Sequence, residues 1–142
     1  MRLAPVRDRS DAAAVLYEIL AERPPESCIS HRDMPTPEEH ERFVKLHPFA
    51  WWYLITVDNE VVGSVEVTDR NEIGVSILKR CQRKGYGRRA LLLFLKFHQP
   101  LPAIPALRNG NWLANIAVGN DDSKAFFAKL GFKPLQETWI HG

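Results

Sequence analysis

The stretch QRKGYGRRALLLFLKF, Gln82 to Phe97, sets Arg83, Lys84, Arg88 and Arg89 around Gly85 and Gly87 and then runs directly into an apolar helical pattern. Glycines at this spacing let backbone N–H groups turn toward one oxygen cluster without Cβ interference. A helix start adds unsatisfied N–H groups and a positive dipole end, and guanidinium groups on the rim add charge-assisted bonds. The chemistry this serves is the binding of phosphate oxygens. Three ligands compete. Gly85-Tyr86-Gly87-Arg88-Arg89-Ala90 fits the G-x-G-x-x-A dinucleotide fingerprint. That fingerprint also needs an acidic residue about twenty positions on, closing a βαβ unit, and the chain there reads ALRNGNW. A P-loop is excluded because no G-x-x-x-x-G-K-[ST] exists. The pyrophosphate of coenzyme A is the third candidate, and a solvated basic turn would carry the same residues.

The elements that must position this stretch are legible in outline. MRLAPV reads as a first strand, and Ser10 and Asp11 stand as cap types before the helical pattern AAAVLYEILAER, which Pro24-Pro25 stops. TPEEHERFVKL carries Thr36 at the cap, Pro37 at the first helical position and Glu39 three residues after the cap. WWYLITV and VVGSVEVTD flank DNE as the strands of a hairpin, and NEIGVSIL is a strand beside them. After the helix RRALLLFLKFH, the segment QPLPAIPALRNG is an irregular connection, a lid or a contact for a second subunit and hence for a possible homodimer. NWLANIAV reads as a strand, NDDSKAFFAKLGF as a capped helix ended by Gly131, and KPLQETWI as a closing strand. This order predicts an α/β (α+β) fold, a mixed sheet with helices packed on it.

At 142 residues the chain is expected to form one domain, residues 1–142. A net charge of +2 is too mild to imply nucleic-acid or membrane partners. Cys28 and Cys81 make neither a metal pattern nor a disulfide framework, and no apolar run reaches membrane-spanning length. A cytoplasmic protein with no metal site is expected.

Two ordered motifs carry a family resemblance. Gln82-Arg83-Lys84-Gly85-Tyr86-Gly87 matches Q/R-x-x-G-x-G/A between a strand and a helix, and NDDSKAFFAKLGF follows through Asn120, Ser123, Lys129, Gly131 and Phe132. Together they resemble the GNAT superfamily of acyl-CoA-dependent N-acetyltransferases, over roughly residues 51–139. The resemblance implies a mostly antiparallel sheet splayed between its fourth and fifth strands, with acetyl-CoA as the acyl donor. Ile77 and Leu78 would pair with the pantetheine arm, and Gln82, Arg83, Lys84, Gly85, Tyr86, Gly87 and Arg88 would hold the pyrophosphate. Asn120 and Ser123 would lie near the pantetheine or thioester, with Phe126 or Phe127 packed on the arm. Many members carry a tyrosine where this chain has Phe127, so no general acid is assigned.

An alkylammonium must lose its proton before it attacks a thioester near neutral pH. Glu72, ten residues before the motif's glutamine, is similar to a glutamate of some GNAT subgroups and is the expected base. Glu66, which interrupts an apolar run, and Asp69 are its competitors. A backbone N–H near Leu78 would stabilise the oxyanion. The acceptor side is expected to involve His31, with Arg32 beside it, Glu66 and Asn115. His40, among three glutamates, reads as part of a solvated helix face, and of Trp51 and Trp52 one would face the acceptor cleft. The expected acceptor is a small-molecule primary amine, an amino-sugar nucleotide being the first choice. A protein N-terminus or an amine-bearing nucleotide base is the alternative, and a non-catalytic acyl-CoA-binding module is a rival of another class.

Overall fold

The sheet grows outward from its central hairpin. In the computed structural model, which describes residues 1–24 and 33–142, β2 (Trp51–Val57) and β3 (Glu60–Val67) are joined through Asp58 and Asn59. Both turn residues have positive φ, 51° and 66°. That is the backbone sense whose twist matches the flanking strands, and short polar side chains tolerate it. β1 (Arg2–Pro5) pairs with β2, and β4 (Ile73–Ile77) with β3, all antiparallel in the order β1-β2-β3-β4.

Alternation along the strands divides the core in two. Ile55, Val65, Val67 and Ile73 face α3 (Tyr86–Phe97), which buries Ala90, Leu91 and Phe94 against them. Trp52, Leu54 and Leu78 face α1 (Ala12–Ala21), which contributes Ala12, Leu16 and Ile19. The two tryptophans therefore split between the faces: Trp51 packs edge-on to Phe94 and Trp112, and Trp52 packs against Phe43 and Phe49.

α2 (Pro37–Leu46) begins as its sequence requires. The Thr36 hydroxyl oxygen accepts the Glu39 N–H at 3.2 Å, and the hydroxyl donates to the Glu39 carboxylate at 3.1 Å. His40 departs from expectation: it is only 6% exposed and meets the Tyr17 ring edge-on at 5.4 Å. Its neighbours Glu38, Glu39 and Glu41 face water while the helix turns this one position inward.

Two expected strands are not formed. Residues 111–118 pair with the sheet only where Glu72 meets Leu113 in a parallel bridge, the Leu113 carbonyl accepting the Ile73 N–H at 2.8 Å. Beyond it Trp112, Ala114 and Ile116 pack into the α3-side core, and the segment leaves the β4 edge. KPLQETWI is likewise unpaired, with Leu135, Trp139 and Ile140 exposed. A strand needs an ordered neighbouring edge, and residues 111–118 offer none. Between them α4 (Asp121–Lys129) is capped by Asn120, whose side chain accepts the Ser123 N–H at 3.2 Å, and Gly131 leaves it at φ 89°.

The proline-rich connection is fastened to the β3–β4 turn. Asn71, fully buried at φ 65°, accepts the Leu101 N–H at 2.8 Å and donates to the Leu101 carbonyl at 2.9 Å. The Arg108 guanidinium donates to the Pro102 and Asp69 carbonyls at 2.7 and 3.2 Å. These bonds fix where residues 112–115 emerge beside β4.

Candidate active site

A cleft of about 270 Å³ opens where the end of β4 meets the start of α3. Its walls run from Ile77 and Cys81 through Gly85, Tyr86, Gly87 and Arg88 to Phe126 on α4. Gly85 caps α3 with φ 76°, a left-handed backbone that a side chain disfavours. The first bond within the helix runs from the Arg89 N–H to the Gly85 carbonyl at 3.1 Å. The N–H groups of Tyr86, Gly87 and Arg88 therefore have no acceptor in the helix and point out of its end. Gly87 forms the floor: a Cβ there would stand 3.5 Å from both Ile77 and Phe126. Arg83, Lys84 and Arg88 are exposed around this rim. The Gln82 side chain turns back, its amide donating to the Ile77 carbonyl at 3.0 Å. A larger hollow, about 360 Å³, lies at the other end of α3 beside Met1, Tyr53 and His98, away from the glycines.

The register decides which backbone groups of β4 reach the cleft. Leu78 donates its N–H to Val62 at 2.9 Å, and the Glu72 carbonyl accepts from Thr68 at 3.0 Å. Residues 72, 74, 76 and 78 therefore bond to β3, and Val75 and Ile77 direct their backbone groups to the open edge. This corrects the expectation for Leu78: its side chain is fully buried and its N–H is taken. The free N–H groups belong to Ile77 and to Val75, which the sequence reading did not single out. One residue of offset in a period-two strand makes the difference.

Phe127 is corrected in the same way. Its ring is 8% exposed and packs on Phe132 inside the core, so Phe126, one residue earlier on α4, is the one that lines the cleft. Asn120 and Ser123 are committed to capping α4, the Asn120 oxygen on the Ser123 N–H.

At the other end of β4 the bridge brings Glu72 and Asn115 together. The Asn115 amide donates to one Glu72 carboxylate oxygen, and the Thr68 hydroxyl donates to the other at 3.0 Å. Thr68 is a partner the sequence reading missed. Its signal was the turn TDRNE, in which a threonine hydroxyl also accepts backbone N–H groups, here of Arg70 and Glu72 at 3.2 Å each. Asp69 is exposed on the same turn. Parity puts Glu72 on the α1-side face, and Glu66, opposite Gly74, points to that face as well. Glu66 is half-buried, and burial pushes its carboxyl above the usual range, with Arg23 pulling it partly back. A Cβ at Gly74 would collide with this carboxylate. His31 and Arg32 lie outside the described residues.

The arrangement offers an anion-binding helix end, a free strand edge leading away from it, and a donor-held carboxylate at the far end of that edge. A family model described as an acetyltransferase (GNAT) domain matches residues 1–133. An acetyltransferase from Thermus thermophilus aligns with a TM-score of 0.68 at 22% identity, over 96% of this chain and 88% of its own. A possible acetyltransferase from Clostridium difficile 630 aligns at 0.66 and 16% identity, over 99% and 94%. The aminoglycoside antibiotic 6'-N-acetyltransferase AAC(6')-IG from Acinetobacter haemolyticus aligns at 0.61 and 16%, over 100% and 97%. Among curated proteins none matches.

Proposed function

The chain belongs to the GNAT family of acetyltransferases, and from that premise we propose that it moves an acetyl group from acetyl-CoA directly to the primary amine of a small molecule. The observation that carries this reading is the open edge of β4 running from the free N–H groups of α3 to the Glu72–Asn115 pair. The pyrophosphate would lie on the first turn of α3 with Arg83, Lys84 and Arg88 around it. The pantetheine arm would add to the sheet through Val75 and Ile77 as an extra strand, over Phe126.

Glu72 is the proposed base. Thr68 and Asn115 occupy one lone pair on each oxygen and orient the carboxylate, leaving others for an incoming ammonium. Glu72 takes the ammonium proton, and the neutral amine attacks the thioester carbon. The carbonyl oxygen gains charge opposite the Val75 N–H, a preorganised donor worth a few kcal/mol. The attacking nitrogen releases its second proton to solvent, and collapse of the tetrahedral species forms the amide and breaks the C–S bond. The leaving thiolate takes a proton from solvent, a step its ordinary pKa near 8.5 tolerates without a side-chain acid.

An amino-sugar nucleotide as acceptor draws its support from His31 and Arg32, outside the described residues. The described acceptor face is acidic, with Glu66 and Glu72 on one side of the sheet, and favours a cationic acceptor instead. The direct test is thermal unfolding with acetyl-CoA, CoA, NAD and ATP in parallel, followed by thiol release across a panel of amines. A ligand at 100 times its Kd adds about 2.7 kcal/mol, several degrees for a domain of this size. A shift with both CoA species alone, with thiol release on addition of an amine, is the expected outcome. No shift with either, or binding without turnover on any amine, overturns the reading.

A further inference from the structure

We propose that Glu66 is a specificity determinant that receives a second cationic group of the acceptor, so that the substrate class is amines carrying a second positive charge. The inference rests on the acetyl-transfer reading and deepens it.

Glu66 pairs across the sheet with Trp52 on one side and Gly74 on the other, and Glu72 lies two residues before Gly74 on the same face. The two positions are diagonal neighbours, spaced roughly 7–8 Å apart across the sheet. They differ in one respect. Glu72 has donors on both oxygens. Glu66 takes no side-chain hydrogen bond among the described residues, and its facing cation is Arg23, acting through space from the end of α1.

A carboxylate withdrawn from water is costly to keep ionised, and a hydrogen bond from its own backbone together with Arg23 offsets that cost only in part. Gly74 adds no group that could bond, and its missing Cβ is what leaves the carboxylate room. Trp52 gives a flat apolar wall, only 5% exposed. Such a carboxylate beside an aromatic wall gains most from a donor that arrives with the ligand. An ammonium would supply both charge and hydrogen bonds. With the reacting nitrogen at Glu72, a second ammonium at Glu66 fixes the length and orientation of the acceptor. A single-amine acceptor of equal length leaves Glu66 uncompensated.

The test uses α,ω-diaminoalkanes of increasing length against n-alkylamines of the same length. Unfolding is measured with each amine, with and without CoA, and acetyl transfer is followed by thiol release, in the wild-type protein and in Glu66→Gln and Glu66→Leu. Expected are diamine stabilisation that peaks at one chain length in the wild type and is lost in both variants. The kcat/KM ratio of diamine to monoamine should fall about tenfold or more, mostly through KM, as loss of one charge-assisted bond requires. Equal stabilisation by diamines and monoamines, or a ratio the variants leave unchanged, overturns the inference. A CoA shift that persists in that case leaves the acetyl-transfer reading standing. Absence of any CoA shift sinks that reading, while the amine arms without coenzyme still decide Glu66.

Discussion

The two ends of the β4 edge are built on different principles. The proposed donor end is mostly backbone: α3 N–H groups, Val75 and Ile77 off the sheet edge, and glycines at Gly85 and Gly87 that keep the approach clear. The proposed acceptor end is made of side chains, with Glu72, Asn115 and Glu66 brought together by register and by the anchored 99–110 connection. A backbone site tolerates much sequence change and gives one fixed ligand chemistry. A side-chain site can be retuned one residue at a time. One fold can thereby keep its donor and change its acceptor.

The sharpest way to break this division is to fill the donor floor. A branched side chain at Gly87 would enter the space between Ile77 and Phe126, where a bare Cβ already makes ordinary contact at 3.5 Å. Gly87→Val should abolish the unfolding shift by CoA and all thiol release, while circular dichroism still reports a folded protein. Normal coenzyme binding in this variant would move the arm out of the cleft. Next in size, Glu72→Gln should lower kcat by about 10²–10³-fold at neutral pH, in the range of general-base removal. Activity should recover in part at high pH, where the amine deprotonates unaided, and the CoA shift should stay at its wild-type size. A variant of undiminished kcat would take Glu72 out of the base role.

The same division explains what could be read from the sequence. Caps, hairpin and glycine loop are local: Thr36 meets Glu39 three residues on, Asp58 and Asn59 carry their own turn preference, and Gly85 and Gly87 lie in one contiguous run. Pairwise geometry across the sheet is not local. The choice between Leu78 and Val75 depends on which residues of β4 bond to β3, and the strand period of two turns a one-residue offset into the opposite edge. Phe126 and Phe127 differ by one step of helix rotation, so the hydrophobic pattern of α4 could not say which ring enters the core. NWLANIAV has the composition of a strand and lacks the partner, because Trp112, Ala114 and Ile116 are drawn to the α3-side core. The Glu72–Asn115 contact spans 43 residues of chain and follows from that one parallel bridge.

The smallest expected effect is a stability difference at Glu66, and it probes the acceptor end without any coenzyme. Burial raises the Glu66 carboxyl above its ordinary value of 4.5, and Arg23 with a backbone hydrogen bond opposes this only in part. Below 4.5 both folded and unfolded chains hold the proton, and Glu66 contributes no pH dependence. As pH rises from 4.5 toward the raised folded value, the unfolded chain releases the proton first and the folded chain retains it. The folded state then binds more protons, so the contribution of Glu66 to stability falls with rising pH through that window and levels off above it. Glu66→Gln lacks the titration, and its melting temperature relative to the wild type should rise across the same window and then hold constant. Arg23→Gln in the protein that keeps Glu66 should widen the window and enlarge the total loss, because an opposing charge is gone. A difference between wild type and Glu66→Gln that is flat from about pH 4 to 8 would mean the carboxylate is compensated in the folded protein. In that case the acceptor end, like the donor end, would be complete before any substrate arrives.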